Sequence, residues 1–135
     1  MTLLVDTNVL VAATVGETER GSVSRDFLDS DYEFATTLLN VMEYRTVLTK
    51  QKRFEQDRVE ELIEGLFDRM DVYGPETGDL LEAYAMQRET LLYTMDAVIL
   101  AMAKEIGAPL VTFDSELLEN NAVPPEEFVE SRNSA

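Results

Sequence analysis

Short apolar runs alternate with helix-length stretches along this chain, and no other feature limits its fold as much. Leu3-Leu4-Val5, Tyr32 to Ala35, Asp71-Val72-Tyr73 and Pro109 to Thr112 each read as a short strand, and a fifth, very short one is predicted near Ala122-Val123. Buried runs of this kind, separated by helices, imply a parallel sheet covered on both faces. The expected class is therefore α/β, with three layers and a central parallel sheet of about five short strands. Ligands of such sheets bind beyond the carboxyl ends of the strands.

The helices carry their own signals. A helical turn from about Asn8 to Thr14 is followed by a polar loop from Gly16 to Gly21, then by a helix marked by Val23, Phe27 and Leu28. Thr36 or Thr37 is placed to cap the next helix, because a hydroxyl there can accept from a free N–H of the first turn. Glu55 to Met70 is the clearest helix. Val59, Leu62, Ile63, Leu66, Phe67 and Met70 form its apolar stripe, opposite Glu60, Glu61, Glu64 and Asp68. One helix bears Leu80, Leu81 and Tyr84; another runs from about Thr94 to Ile106 and is stopped by Gly107-Ala108-Pro109. A short helix is expected around Ser115 to Glu119. No repeat or low-complexity linker interrupts the 135 residues, so 1–135 reads as one domain. Its last ~10 residues are expected to fray.

Composition removes whole classes of chemistry. The chain contains no Cys and no His, which excludes disulfides, thiol nucleophiles, Ser-His-Asp triads and His-ligated zinc. Any metal must be held by oxygen, favouring Mg²⁺ or Mn²⁺. With 27 acidic and 11 basic residues the net charge is −16. Such a surface repels itself at low salt and resembles halophile compositions, which points to a high-salt cytoplasm; an ordinary acidic soluble protein is the alternative. The apolar start, Met1 to Val15, lacks a basic segment and contains Asp6 and Asn8, so it is not read as a signal peptide. No stretch is long enough to predict a membrane span.

Four acids stand where a carboxylate is awkward for folding and useful for holding a cation. Asp6 follows the first run, Glu43 lies inside an apolar helix, Asp96 opens the helix from Thr94, and Asp114 follows Leu110-Val111-Thr112-Phe113. Three have structural alternatives: Asp6 and Asp114 precede helices that Asp caps well, and Asp96 suits a first turn. Glu43 is harder to explain away. It lies four residues from both Leu39 and Val47, with Val41, Met42, Tyr44 and Leu48 over most of the remaining circumference. A partly buried Glu is expected there, in need of a partner such as a shared metal. Gathered together, four like charges require protons or cations to neutralise them.

These residues carry a resemblance to the PIN-domain nucleases, and within them to the small single-domain toxins (VapC-like) of toxin–antitoxin pairs. Asp6-Thr7-Asn8-Val9-Leu10 resembles the family's opening motif, Asn40-Val41-Met42-Glu43-Tyr44 its helical glutamate, Asp96-Ala97-Val98-Ile99-Leu100-Ala101 its central motif and Leu110-Val111-Thr112-Phe113-Asp114 its closing strand. The resemblance implies a PIN-like fold and a metal-dependent endoribonuclease leaving 5′-phosphate and 3′-hydroxyl ends. It further implies that Asp6, Glu43, Asp96 and Asp114 hold one or two Mg²⁺ or Mn²⁺ ions, with Asn8 and Thr112 orienting the acids. An Asx-turn and a strand-end hydroxyl are the structural alternatives for those two. A protein antitoxin and a second copy of the chain are the partners implied.

Arg45, Lys50, Lys52, Arg53 and Arg58 concentrate five of the eleven cations close to Glu43. They can hold RNA phosphates, or complement a helix C-terminus. Other functions fit less well. A phosphotransfer enzyme or receiver domain would want an acidic pair after the first strand, where Asp6-Thr7-Asn8 stands. An RNA-processing nuclease without an antitoxin, and an inactive PIN-like binding module, remain as alternatives.

Overall fold

β1 (Thr2–Val5), β2 (Glu33–Thr37), β3 (Asp71–Tyr73) and β4 (Leu110–Val111) pair in parallel in the order β3-β2-β1-β4. The structure is a computed structural model and describes residues 1–16 and 18–129. The predicted fifth strand is reduced to a parallel bridge between Val123 and Val111. Pro124 follows at once, and proline has no N–H with which to extend a ladder.

Side-chain alternation splits the core in two. Leu4, in register with both Ala35 and Leu110, belongs to one apolar cluster. Behind it pack α5 (Thr77–Thr90), α6 (Thr94–Ile106) and α7 (Ser115–Leu118). Leu3, Val5 and Val111 point the other way. They meet α1 (Thr7–Val15), α2 (Glu19–Leu28), α3 (Leu38–Thr46) and α4 (Gln56–Arg69). Leu3, Leu4 and Val5 are fully buried, each worth about 1.5–3 kcal/mol of apolar transfer. This is the expected three-layer α/β arrangement.

Local differences have local causes. Gly16 to Gly21 is not all loop: α2 begins at Glu19, capped by the Thr18 hydroxyl accepting from Gly21 N–H at 3.2 Å. β2 runs two residues beyond its predicted end, because Thr36 and Thr37 are completely buried in the sheet. Thr37 then caps α3, accepting from Asn40 N–H at 3.1 Å. Beyond Thr46, α3 widens into a π-helical turn, Val47–Gln51. Residues 126–129 form a helical turn, with Phe128 packed on Phe27 and Tyr32. The rest of the tail expected to fray, 130–135, lies outside the described residues. Among the described residues no helix is long and apolar enough to cross a membrane.

The chain leaves β1 towards β2 and leaves its neighbour β4 towards Val123, on opposite sides. The crevice at the carboxyl ends of β1 and β4 is therefore the topological switch point, where open α/β sheets bind ligands.

Candidate active site

Asp6 occupies that crevice. It caps α1 by accepting from Thr7 N–H, the first of the helix, at Oδ1 (2.8 Å). Its carboxylate has further partners. Oδ1 also accepts from Asn40 Nδ2 at 2.9 Å and Oδ2 from the Thr112 hydroxyl at 2.7 Å. Only 5% of Asp6 is exposed. Burial raises its pKa, the bonds from Thr112, Thr7 and Asn40 oppose the rise, and the charge on Glu43 adds to it.

One hydroxyl ties the far side of the crevice together. Thr112 Oγ1 donates to Asp6 and accepts from Asn8 Nδ2 (3.1 Å) and from Asp114 N–H (3.0 Å). Asn8 Oδ1 in turn accepts from Phe113 N–H at 3.1 Å. Asn8 and Thr112 thus bridge the start of α1 to the end of β4, rather than serving only their own turns. Asp114 caps α7 through Leu117 N–H at 2.9 Å.

Asp96 is the third residue of α6 and half-buried. A helix N-terminus favours a carboxylate, yet its carboxyl is pushed up to about 6. Burial is the largest cause, followed by the charges of Asp114, Asp6, Glu43 and Glu116. Residues from four separated segments therefore act on one another through their fields. Among the described residues no three acids converge tightly enough to cage an ion as they stand. The donor set fits a hard divalent ion: it is all oxygen, and its anions are raised in energy by one another's charge.

Glu43 departs from expectation. It is exposed, not partly buried. α3 buries Asn40, Val41 and Tyr44 but leaves Leu38 and Met42 in solvent, so apolar neighbours along the helix did not mean an apolar surround. Asn40 was missed by sequence reasoning. It is fully buried, donates to Asp6 and to Thr7 Oγ1 (2.8 Å), and accepts from Thr37 Oγ1 at 2.6 Å. Its signal was a polar residue three positions before Glu43. Glu116, two residues after Asp114, was also missed.

The basic cluster is dispersed. Arg45 bonds Glu60 and the Arg58 guanidinium lies 4.4 Å from the centre of the Phe54 ring, so both are engaged structurally. Lys50, Lys52 and Arg53 are exposed. Lys52 lines an open groove that also reaches Glu43 and Asn8.

Residues 3–123 match the family described as the PIN domain. Among curated proteins no sequence match is found. Solved structures are similar in fold. Mycobacterium tuberculosis VapC20, described as a sarcin-ricin loop cleaving toxin, superposes with a TM-score of 0.76 at 16% identity, covering 90% of this chain and 96% of that one. A Pyrobaculum aerophilum protein, PAE2754, gives 0.75 at 21%, covering 100% and 91%. A toxin–antitoxin complex from Klebsiella pneumoniae gives 0.68 at 21%, covering 84% and 87%. With its sheet order, its switch-point crevice and a family match over nearly its whole length, the chain belongs to the PIN domain family.

Proposed function

We propose that this chain is a divalent-metal-dependent endoribonuclease and the toxin of a toxin–antitoxin pair. The observation that carries the catalytic part is Asp96, held near pKa 6 by burial and by the charges of Asp114, Asp6 and Glu43. Helix capping accounts for Asp6 and Asp114 one at a time, but not for four carboxylates acting in one field, which serves chemistry better than folding. Asp6, Glu43, Asp96 and Asp114 are the residues that would hold the ion. When bound, Mg²⁺ or Mn²⁺ lowers the pKa of a water and neutralises charge on the transferring phosphoryl group. The chain's own part is positional. Thr112, Asn40 and Thr7 N–H fix both oxygens of Asp6, and Asn8 fixes Thr112. Water attack in line leaves a 5′-phosphate and a 3′-hydroxyl.

The toxin part is supported by structural neighbours described as a toxin and as a toxin–antitoxin complex. A small antitoxin is accordingly the expected protein partner. A second copy of the chain is the expected cover for Leu80, Leu81 and Tyr84, which α5 leaves at least half exposed. The net charge of −16 suits a high-salt cytoplasm.

The test is cleavage of total cellular RNA in Mn²⁺ or Mg²⁺ at high KCl. Wild type should give discrete fragments, while Asp96→Asn and an EDTA control should give none. Cleavage that persists in either control would remove the acidic site from the reaction. No cleavage by folded, antitoxin-free wild type under any metal would leave an inactive binding module.

A further inference from the structure

The open groove beside the acids has a volume of about 440 Å³, within the roughly 300–1,000 Å³ typical of small-ligand pockets. One end reaches Asn8 and Glu43, and its apolar lining includes Val11, Val15 and Val47. Arg20, Gln51, Lys52 and Phe113 also line it.

Two features there exceed what folding requires. The Arg20 guanidinium carbon lies 4.8 Å from the centre of the Phe113 ring. Phe113 stands between Thr112 and Asp114, and Asn8 holds its backbone N–H, so this pair is fixed relative to the acids. The second feature is the π-helical turn. Lys52 N–H bonds back to Val47 O at 3.0 Å, one residue further than in an α-helix, and Val47, Gln51 and Lys52 all line the groove. Arg53 follows at φ 59°, a left-handed conformation that is costly for a non-glycine residue and concentrates at functional sites.

Charge selects the occupant. On a chain of net charge −16, this groove presents Arg20 and Lys52 against one acid, Glu43. Among the described residues the ion pairs engage Arg45 and Lys104 instead. An anion that carries a flat ring matches the Arg20, Phe113 and Lys52 side of that surface.

We propose that the groove holds one nucleotide of a single-stranded RNA beside the scissile phosphate, its base against the Phe113–Arg20 pair and its flanking phosphate on Lys52; this rests on the nuclease reading above. A base can enter only when unpaired, so the groove also selects single strands over duplex. Arg20, Phe113 and Lys52 are positioning residues that leave the chemistry to the acids.

The probe is a single-stranded RNA dodecamer carrying 2-aminopurine, titrated onto the full-length Asp96→Asn protein in Mg²⁺ at several KCl concentrations. Stacking on the Phe113–Arg20 pair should quench the probe; adding Phe113→Leu should abolish that quench and weaken binding about tenfold, the scale of one lost base stack. Lys52→Gln should reduce the slope of log affinity against log salt by about 0.7, the value for one phosphate contact on a single strand. Phe113→Tyr and Lys52→Arg should restore both readouts. In the otherwise wild-type protein Lys52→Gln should raise KM with little change in kcat. Lys52 is exposed, so folding does not confound that variant. Unchanged quench, slope and KM in these variants, with RNA still cleaved, would overturn the groove while leaving the nuclease, and would make a protein segment its occupant. Groove-dependent binding with no cleavage under any metal would overturn the nuclease reading, and the scissile position with it.

Discussion

Thr112 illustrates how much rests on one atom. Its hydroxyl joins Asp6, Asn8 and Asp114 N–H, and the residue is fully buried. Thr112→Val keeps the shape and removes the hydroxyl, leaving its three partners to find others. A loss of about 1–3 kcal/mol is expected from unsatisfied buried groups, and about a 10–100-fold loss in metal affinity or activity from disoriented acids. Chemical denaturation and a Mn²⁺ titration read the two separately; Thr112→Ser should restore most of both. Asp96 gives a second residue-scale prediction, with a sign. Its pKa rises from 3.8 to about 6 on folding, so between those values the folded state binds more protons than the unfolded one. Stability of the metal-free protein must therefore fall as pH rises through that window and stay lowered above it. Discounted for partial exposure, the effect is about 1 kcal/mol, or about 4 °C in Tm for a domain of this size. Added Mg²⁺ or Mn²⁺ should recover it at pH 7 and do little at pH 4. A metal-free Tm that climbs between pH 4 and 6 would contradict the cause given for the shift.

At the scale of elements, Gly21 sets two rules in opposition. It lies inside α2, where alanine would be favoured by about 1 kcal/mol on propensity. A Cβ there would stand 2.8 Å from Gly16 Cα and 2.9 Å from Ala12 O, both backbone atoms. Close packing of α1 on α2 should win, and Gly21→Ala should destabilise by about 1–3 kcal/mol in a urea titration. An unchanged or raised midpoint would mean that the two helices separate at no cost. The same residue shows why some elements were legible in the sequence and others were not. α4 announced itself by its apolar stripe, and the end of α6 by Gly107, which adopts φ 76°. The start of α2 did not, because a glycine needed for a helix–helix contact looks like a glycine in a loop. The four acids were legible because carboxylates beside buried runs are unusual. Asn40 was not: an amide on a helix looks ordinary until the fold brings Asp6 to it. The exposure of Glu43 was hidden for a related reason, since chain neighbours do not reveal which side of α3 faces the sheet. Nothing local in the sequence foretold the π-helical turn.

Across the whole molecule, charge and apolar exposure oppose each other. The net charge of −16 spreads copies apart and strains each one by self-repulsion. Leu80, Leu81, Tyr84, Leu91 and Tyr93 remain largely exposed. Salt screens the first and leaves the second, with a screening length of about 10 Å at 0.1 M and about 3 Å at 1 M. Raising KCl from 0.1 to 1 M should therefore raise Tm by several degrees and shift sedimentation toward a dimer. A Tm that falls over that range would show that exposed ion pairs outweigh repulsion, although only Arg45–Glu60 and Lys104–Glu82 are formed among the described residues.

The sheet order also governs when the acidic crevice can form during synthesis. Leu4 pairs with Leu110, so β1 finds its neighbour on that side only once Leu110 has been synthesised. Asp6 must wait for that pairing before Thr112 can hold it. A nascent chain that lacks Leu110 and Thr112 cannot assemble the crevice, whatever its earlier residues have done.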